Sequence, residues 1–186
     1  KVALLHSPLA FRPEQILVDI TDRCNFRCPS CTKWKHSSRV GELTTRQWKA
    51  FLDQAAALPF SKRVVFAGGE PLLRKDLMEL VSYAAGLNLS SVIVSNGSLL
   101  DEDRLRRFQE SGLNYLMVSL NAVEAGIHDE TRGVAGSHEH IMRLIKAYAA
   151  SRGPMGLGIA SVIMKRNLDQ ILPLAEFTAD CQLHGI

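Results

Sequence analysis

The sequence predicts an α/β fold built on a parallel sheet, and three observations predict it. Five short β-branched runs alternate with five amphipathic stretches along the 186 residues, the pattern of repeated strand–helix units. The runs are apolar almost throughout, as strands buried on both faces are. The composition is globular: 46% hydrophobic, 22% charged, 13 Gly, 7 Pro and a mean hydropathy of +0.01, which excludes disorder, collagen-like repeats and coiled coil.

The elements follow in order. Strand one is Ile16-Leu17-Val18-Asp19-Ile20, and Thr44-Thr45 then caps a helix with Trp48, Phe51, Leu52 and Ala55 on its apolar face. Strand two is Arg63–Ala67, followed by a helix from Arg74 to Ala85 that carries Leu77, Leu80, Val81 and Ala84 and stops at Gly86. Strand three is Ser91–Ser95; the next helix, Asp101 to Ser111, opens with acidic residues that favour its dipole and ends at Gly112. Strand four is Tyr115–Leu120, and Ser137 opens a helix with Ile141, Leu144, Ile145 and Tyr148 on one side. Strand five is Gly158–Met164, and a last helix starts near Pro173, a good first-turn residue. His184-Gly185-Ile186 reads as the start of a sixth strand. Right-handed crossovers then give either an open doubly wound sheet or a barrel or part-barrel. A complete eight-unit barrel needs about 250 residues, so a barrel reading makes the chain an incomplete one. Residues 1–14 form an N-terminal extension and residues 15–186 a single core domain that stops short at its C-terminal end.

Several function classes recede on composition. The net charge of +3 is diffuse, and Phe and Tyr are scattered rather than laid out as a base-stacking surface, so nucleic acid is not an expected partner. No apolar run approaches the ~20 residues of a membrane span, and the opening Lys1–Pro8 is too short an apolar stretch for a signal peptide. A cytoplasmic location is expected.

In either architecture, functional groups belong at the C-terminal ends of the strands. There the sequence places Thr21-Asp22-Arg23-Cys24-Asn25-Phe26-Arg27-Cys28-Pro29-Ser30-Cys31, then Gly68-Gly69-Glu70-Pro71, Ser95-Asn96-Gly97 and Ser119-Leu120-Asn121. Three of the four cysteines fall within eight residues, spaced C-x₃-C-x₂-C, whereas a disulfide framework spreads its cysteines through the chain. Soft thiolates suit zinc, Cu(I) or an iron–sulfur cluster. Structural zinc wants four ligands, and His36 is a possible fourth or simply a polar loop residue. Three thiolates on a cubane leave one iron open to a substrate or cofactor, where the common electron-transfer cluster has four cysteines. Reduced structural thiols are the remaining reading. Cys181 sits in a helical pattern and reads as a buried structural thiol. Gly68-Gly69 directly after a buried strand permits backbone geometry closed to other residues and lets a ligand approach. Glu70 adds an acceptor suited to an ammonium group, though alone the triplet is an ordinary strand–helix turn.

Together these residues resemble the radical S-adenosylmethionine (SAM) enzymes, within them the branch that includes molybdenum-cofactor biosynthesis protein A and the SPASM-type peptide maturases. The resemblance runs from about Ile16 to the end and is carried by Thr21–Asn25, Cys28, Cys31, Gly68–Pro71, Ser95-Asn96-Gly97, Val118–Ala122 and His128-Asp129-Glu130-Thr131-Arg132-Gly133. It implies a partial TIM-type parallel β/α barrel of five to six units. It implies a [4Fe–4S] cluster on Cys24, Cys28 and Cys31, with SAM chelating the fourth iron. By the same resemblance Gly68, Gly69 and Glu70 hold the methionine amino group, Ser119 the ribose or carboxylate and Arg132 the carboxylate. Val162 flanks adenine, and Asn96 lines the wall near the reacting carbon; Glu70 and Asn96 are thus the catalytic candidates.

The implied reaction is reductive cleavage of SAM to a 5′-deoxyadenosyl radical that abstracts hydrogen from a peptide or small-molecule substrate. The electron comes from a donor such as flavodoxin or ferredoxin. Two positions depart from the family pattern. Ser30 stands beside adenine where an aromatic residue is usual, with Trp34 either filling the space or simply packing, and Asn121 replaces a usual Asp. The basic residues Arg23, Arg27, Lys33, Lys35 and Arg39 either offset cluster charge or form a solvated loop. His138 and His140 read as surface residues, and His128 lies in the family-like loop. Two other functions compete: a zinc-stabilised, non-catalytic interaction domain, and a degenerate radical SAM fold without turnover.

Overall fold

The computed structural model describes residues 14–35, 41–59, 62–150 and 153–185. Five strands form one wholly parallel sheet in sequential order: β1 (Gln15–Thr21), β2 (Arg63–Gly68), β3 (Ser90–Ser95), β4 (Tyr115–Ser119) and β5 (Gly156–Ala160). The helices are α1 (Thr45–Ala57), α2 (Leu77–Gly86), α3 (Glu102–Glu110), α4 (Ala125–Arg132), α5 (Ser137–Ala150) and α6 (Ile171–Asp180), with short 3₁₀ turns at Lys33–Lys35, Pro71–Leu73 and Lys165–Gln170.

Alternate strand residues decide between the two architectures. Ile20, Val64, Phe66, Ile93, Leu116, Val118, Leu157 and Ile159 are buried in one core with Trp48 and Leu52 of α1, Leu77 and Leu80 of α2, Phe108 of α3, Ile141 and Ile145 of α5 and Leu174 of α6. The helices therefore cover one face. On the other face Leu17 is 62% exposed, and its neighbours run through Val65 and Val92 in register. A doubly wound sheet carries helices on both faces and reverses its strand order at a switch point. Sequential order with one helical layer is an opened β/α barrel.

Local chemistry sets the helix ends. Thr44 and Gln47 form a reciprocal capping box at α1, the Thr44 Oγ1 accepting the Gln47 N–H at 3.3 Å and the Thr44 N–H reaching Gln47 Oε1 at 2.9 Å. Asp101 Oδ1 accepts the Arg104 N–H at 2.7 Å and caps α3.

Elements α2, α4 and β5 differ from the sequence expectations. Helix α2 begins at Leu77, not Arg74, because the Arg74 guanidinium is drawn into the fold, bonding the Ile20 and Leu43 carbonyls at 3.2 Å and Asp76 at 2.6 Å. Helix α6 begins at Ile171 and holds Pro173 in its first turn, in line with the sequence. Helix α4, Ala125–Arg132, has no counterpart among the expected elements, because its polar sequence shows no apolar stripe. Strand β5 covers Gly156–Ala160, earlier than the β-branched Val162-Ile163 suggested; Val162 is therefore in the loop beyond the strand and 51% exposed. The sixth-strand expectation finds a counterpart along the β5 edge, where the His184 N–H bonds Leu157 O at 2.8 Å and the Ile159 N–H bonds Gly185 O at 2.9 Å. Residues 1–13 and His36 and Arg39 lie outside the described residues, and so do the readings attached to them.

Candidate functional site

The site is built on the C-terminal ends of β1 to β4. The pairing of β1 with β2 shifts register between Asp19 and Thr21, a bulge of the kind that re-aims a strand end beside functional sites. The cysteine loop leaves from this bulge, and the β2 turn clamps it. The Gly69 N–H donates to Thr21 O and the Glu70 N–H to Arg23 O, each at 2.7 Å. Both glycines are required by the approach. Gly68 has φ +122°, and a Cβ on either glycine would overlap the backbone of residues 21–23.

Glu70 is 1% exposed. Its Oε1 accepts the Leu72 N–H at 3.0 Å and the Ser95 hydroxyl at 2.8 Å, and its Oε2 accepts the Asn96 N–H at 2.7 Å. Burial pushes its carboxyl up from the ordinary range, against the pull of those donors and of Arg132. The carboxylate thus splices the β2 and β3 ends together. Asn96 is equally committed: its Nδ2 donates to Asn25 Oδ1 at 2.9 Å, and its Oδ1 accepts from the Ser98 amide at 2.9 Å. Asn25, a motif residue to which the sequence assigns no role of its own, also reaches Ser98 Oγ at 2.8 Å and so ties the cysteine loop to the β3 end. Its position between Cys24 and Cys28 was the signal. In this geometry the Glu70 carboxylate joins the β2 and β3 ends, and the Asn96 side chain ties the β3 end to the cysteine loop through Asn25.

The donor set fits a cluster. Cys24, Cys28 and Cys31 are free thiols, Cys28 buried and the other two half-buried. Backbone amides already address two of the sulfurs: the Phe26 amide bonds that of Cys24, and the Lys33 N–H reaches the Cys31 sulfur at 3.4 Å. Burial raises the Cys24 and Cys28 thiols, and the Arg132 guanidinium opposes it at Cys28. Among the described residues no three His, Cys, Asp or Glu side chains gather as one ion would need. A cubane asks for something else, since each of its cysteines binds a different iron.

Arg132, at the end of α4, lies over the Phe26 ring at 5.6 Å, and its Nε is buried with no partner. That orphaned donor beside Cys28 suits an incoming carboxylate. Ser119 ends β4, half-buried in register with Ala160. Ser30 is exposed on the turn that the Cys31 N–H closes onto Cys28 O at 3.1 Å. Trp34 folds back on the same carbonyl through its indole N–H at 3.3 Å, with Arg27 at 5.8 Å from its ring. Cys24, Cys28, Cys31, Gly68–Glu70, Asn96 and Arg132 thus come together, while Ser119 and Val162 stand on the β4–β5 side.

A buried polar knot joins the two sides. Asn121 gives its N–H to His128 Nδ1 at 3.1 Å and its Nδ2 to Thr131 Oγ1 at 3.0 Å; its Oδ1 accepts the Val162 N–H at 3.0 Å, and Asn167 Nδ2 bonds its carbonyl at 2.8 Å. The amide that replaces the family's usual Asp is used here as both donor and acceptor. Burial, with Arg132 and His138 adding to it, lowers His128 to about 4, so its ring is neutral with Nδ1 accepting. His138 and His140 are half-buried, not surface residues: His138 lies edge-on to His128 at 5.8 Å and His140 Nε2 meets Gly97 O at 3.1 Å.

Comparison with known proteins agrees with this geometry. The chain matches the Radical SAM superfamily over residues 18–178. It is 32% identical over 169 residues to the PqqA peptide cyclase of Bradyrhizobium diazoefficiens, covering 90% of this chain and 44% of that protein. It is 31% identical over 169 residues to the AdoMet-dependent heme synthase of Methanosarcina barkeri, covering 90% and 48%. Its fold is that of Streptococcus suis SuiB, solved bound to the precursor peptide SuiA, with a TM-score of 0.79 at 20% identity over 92% of this chain and 38% of that one. The chain thus spans a little under half the length of these curated relatives. The family brings its cofactors, a [4Fe–4S] cluster and SAM. With a family match over most of its length and the cysteine loop and Gly-Gly-Glu turn bonded together at the barrel rim, the chain belongs to the radical SAM superfamily.

Proposed function

We propose that this chain is the catalytic core of a radical SAM enzyme that modifies a peptide or builds a cofactor. The observation that carries the reading is the clamp of the Gly68–Glu70 turn onto the three-cysteine loop, beside the unpaired Arg132 Nε. Cys24, Cys28 and Cys31 hold the cluster. When bound, the cluster and SAM supply one-electron cleavage of a carbon–sulfur bond and a carbon radical able to take hydrogen from substrate.

The protein's own part is positioning and exclusion. Gly68 and Gly69 let the turn press directly against the backbone of residues 21–23, which brings the Gly68–Glu70 segment beside the cysteine loop, where it meets the methionine amino group. Arg132 offers its fork to the carboxylate. Ser119 faces the ribose from the β4 end, and Val162 and Ser30 border adenine. Glu70 and Asn96 fix the spacing between the β2 turn, the β3 end and the cysteine loop, so they act on the reaction through the parts they hold. The apolar open face of the sheet, Val65, Val92 and Val94 among it, keeps water from the reacting carbon. Exposed Arg23, Arg27 and Lys35 around the loop suit an acidic one-electron donor such as flavodoxin or ferredoxin.

A peptide is the favoured substrate, since the PqqA peptide cyclase and peptide-bound SuiB are both similar to this chain; the heme synthase keeps a small-molecule cofactor precursor as the second reading. No helix among the described residues is long and apolar enough to cross a membrane, and a reducing cytoplasm suits the cluster. The test is formation of 5′-deoxyadenosine and methionine from SAM by the anaerobically reconstituted, dithionite-reduced protein. The reading requires both products, and their loss in Cys24→Ala, Cys28→Ala and Cys31→Ala. Zinc held stoichiometrically with no SAM cleavage overturns it.

A further inference from the structure

The cysteine loop is held in two halves. Residues 21–27 are tied to the rim by the Gly69 and Glu70 amides and by Asn25. Residues 28–35 mainly fold on themselves: the Cys31 N–H and the Trp34 indole N–H both bond Cys28 O, and the Lys35 N–H bonds Thr32 O at 3.0 Å. An ion pair between Lys33 Nζ and the Asp19 carboxylate links them back to the sheet. Asp19 lies on the helix-free face of β1: Ile20 beside it is buried in the helix-side core, and Asp19 registers with Ala67. The same Lys33 gives its backbone N–H to the Cys31 sulfur at 3.4 Å.

We propose that Asp19 and Lys33 form a latch that holds the second half of the loop against the inner face of β1 and so keeps the Lys33 amide on the Cys31 sulfur, making both of them positioning residues for the redox cofactor. This rests on the reading that Cys31 is a cluster ligand. Groups that orient a metal's ligands affect metal retention strongly, and hydrogen bonds to cluster sulfurs set cluster potential. The pair is half-exposed, 39% at Lys33 and 45% at Asp19, so it contributes little to global folding.

The test uses the reconstituted protein, with Asp19→Ala, Lys33→Met, the double variant and Lys33→Arg. Iron loss to a chelator and the midpoint potential of the cluster are both followed without SAM. A latch predicts about ten-fold faster iron loss in each single variant, no further loss in the double variant, near wild-type behaviour in Lys33→Arg, and unchanged thermal unfolding of the metal-free chains. A purely coulombic role predicts potentials moving in opposite directions, since one variant removes an anion and the other a cation, with no change in iron loss; that result overturns the latch. Additive effects overturn it too, as does unchanged iron loss in both single variants. Failure of the wild-type chain to assemble a [4Fe–4S] cluster overturns the underlying function instead.

Discussion

Replacing Glu70 by alanine removes an acceptor from three donors at once: the Leu72 amide, the Ser95 hydroxyl and the Asn96 amide, all 2.7 to 3.0 Å from the carboxylate. The residue is 1% exposed, so the donors have little water to turn to. A buried donor left without a partner costs about 1–3 kcal/mol. Allowing for water entering the vacated space, the total comes to about 3–6 kcal/mol, a large share of the roughly 5–15 kcal/mol that holds a domain folded. Glu70→Gln keeps the shape and one acceptor oxygen, and falls between. Urea unfolding of the metal-free chain reads the loss directly, alongside iron per chain after reconstitution. Both fall together in Glu70→Ala, because the splice that fails is the one that positions the cysteine loop. A wild-type unfolding midpoint with weakened SAM binding alone refutes this reasoning, and shows that the carboxylate serves the cofactor and not the turn.

Other perturbations separate the parts of the site. Arg132→Met removes a charge-assisted contact of about 1.5–3 kcal/mol, so SAM binds about ten- to a hundred-fold more weakly while iron loading stays at the wild-type level; equal SAM affinity in the variant contradicts the role given to the guanidinium. His128 gives the fold a pH dependence. The unfolded chain takes up its proton near the ordinary 6.5, the folded chain only at about 4, so stability is complete above pH 6.5 and drains as pH falls toward 4. Between pH 7 and 5 the loss is about 2 kcal/mol, measured by urea unfolding, and His128→Gln removes that part of the slope. Gly69→Ala drives a Cβ into the Arg23 carbonyl, where backbone cannot yield; about 1–3 kcal/mol of overpacking should appear in unfolding, together with poor cluster assembly.

The strands and most helices were legible because a buried parallel strand must be apolar and β-branched, and Val64-Val65-Phe66 or Val92-Ile93-Val94 cannot be much else. Helix α4 was not: it packs His128 and Thr131 inward, polar residues whose partners come from elsewhere, so it carries no apolar stripe. Strand β5 was read late because Gly156 and Leu157 at its start carry no β-branched signal, while Val162 and Ile163 look like strand but lie on the loop beyond it. At the site, the cysteines and the glycine turn were visible as local motifs. The roles of Glu70 and Asn96 were not, since their partners lie about 25 and 70 residues away in sequence. The same distance hid the Asn121–Asn167 bond, 46 residues apart. The choice between barrel and doubly wound sheet also needed three dimensions, because strand order and helix side are not written in hydrophobic pattern.

The central claim is that Cys24, Cys28 and Cys31 hold a cluster whose fourth iron is left for SAM. Electron paramagnetic resonance of the reconstituted, reduced protein, with and without SAM, tests it most directly. The account predicts a [4Fe–4S] signal that changes when SAM is added and is absent from Cys28→Ala. A protein that binds zinc and gives no such signal, or a cluster signal indifferent to SAM, contradicts it.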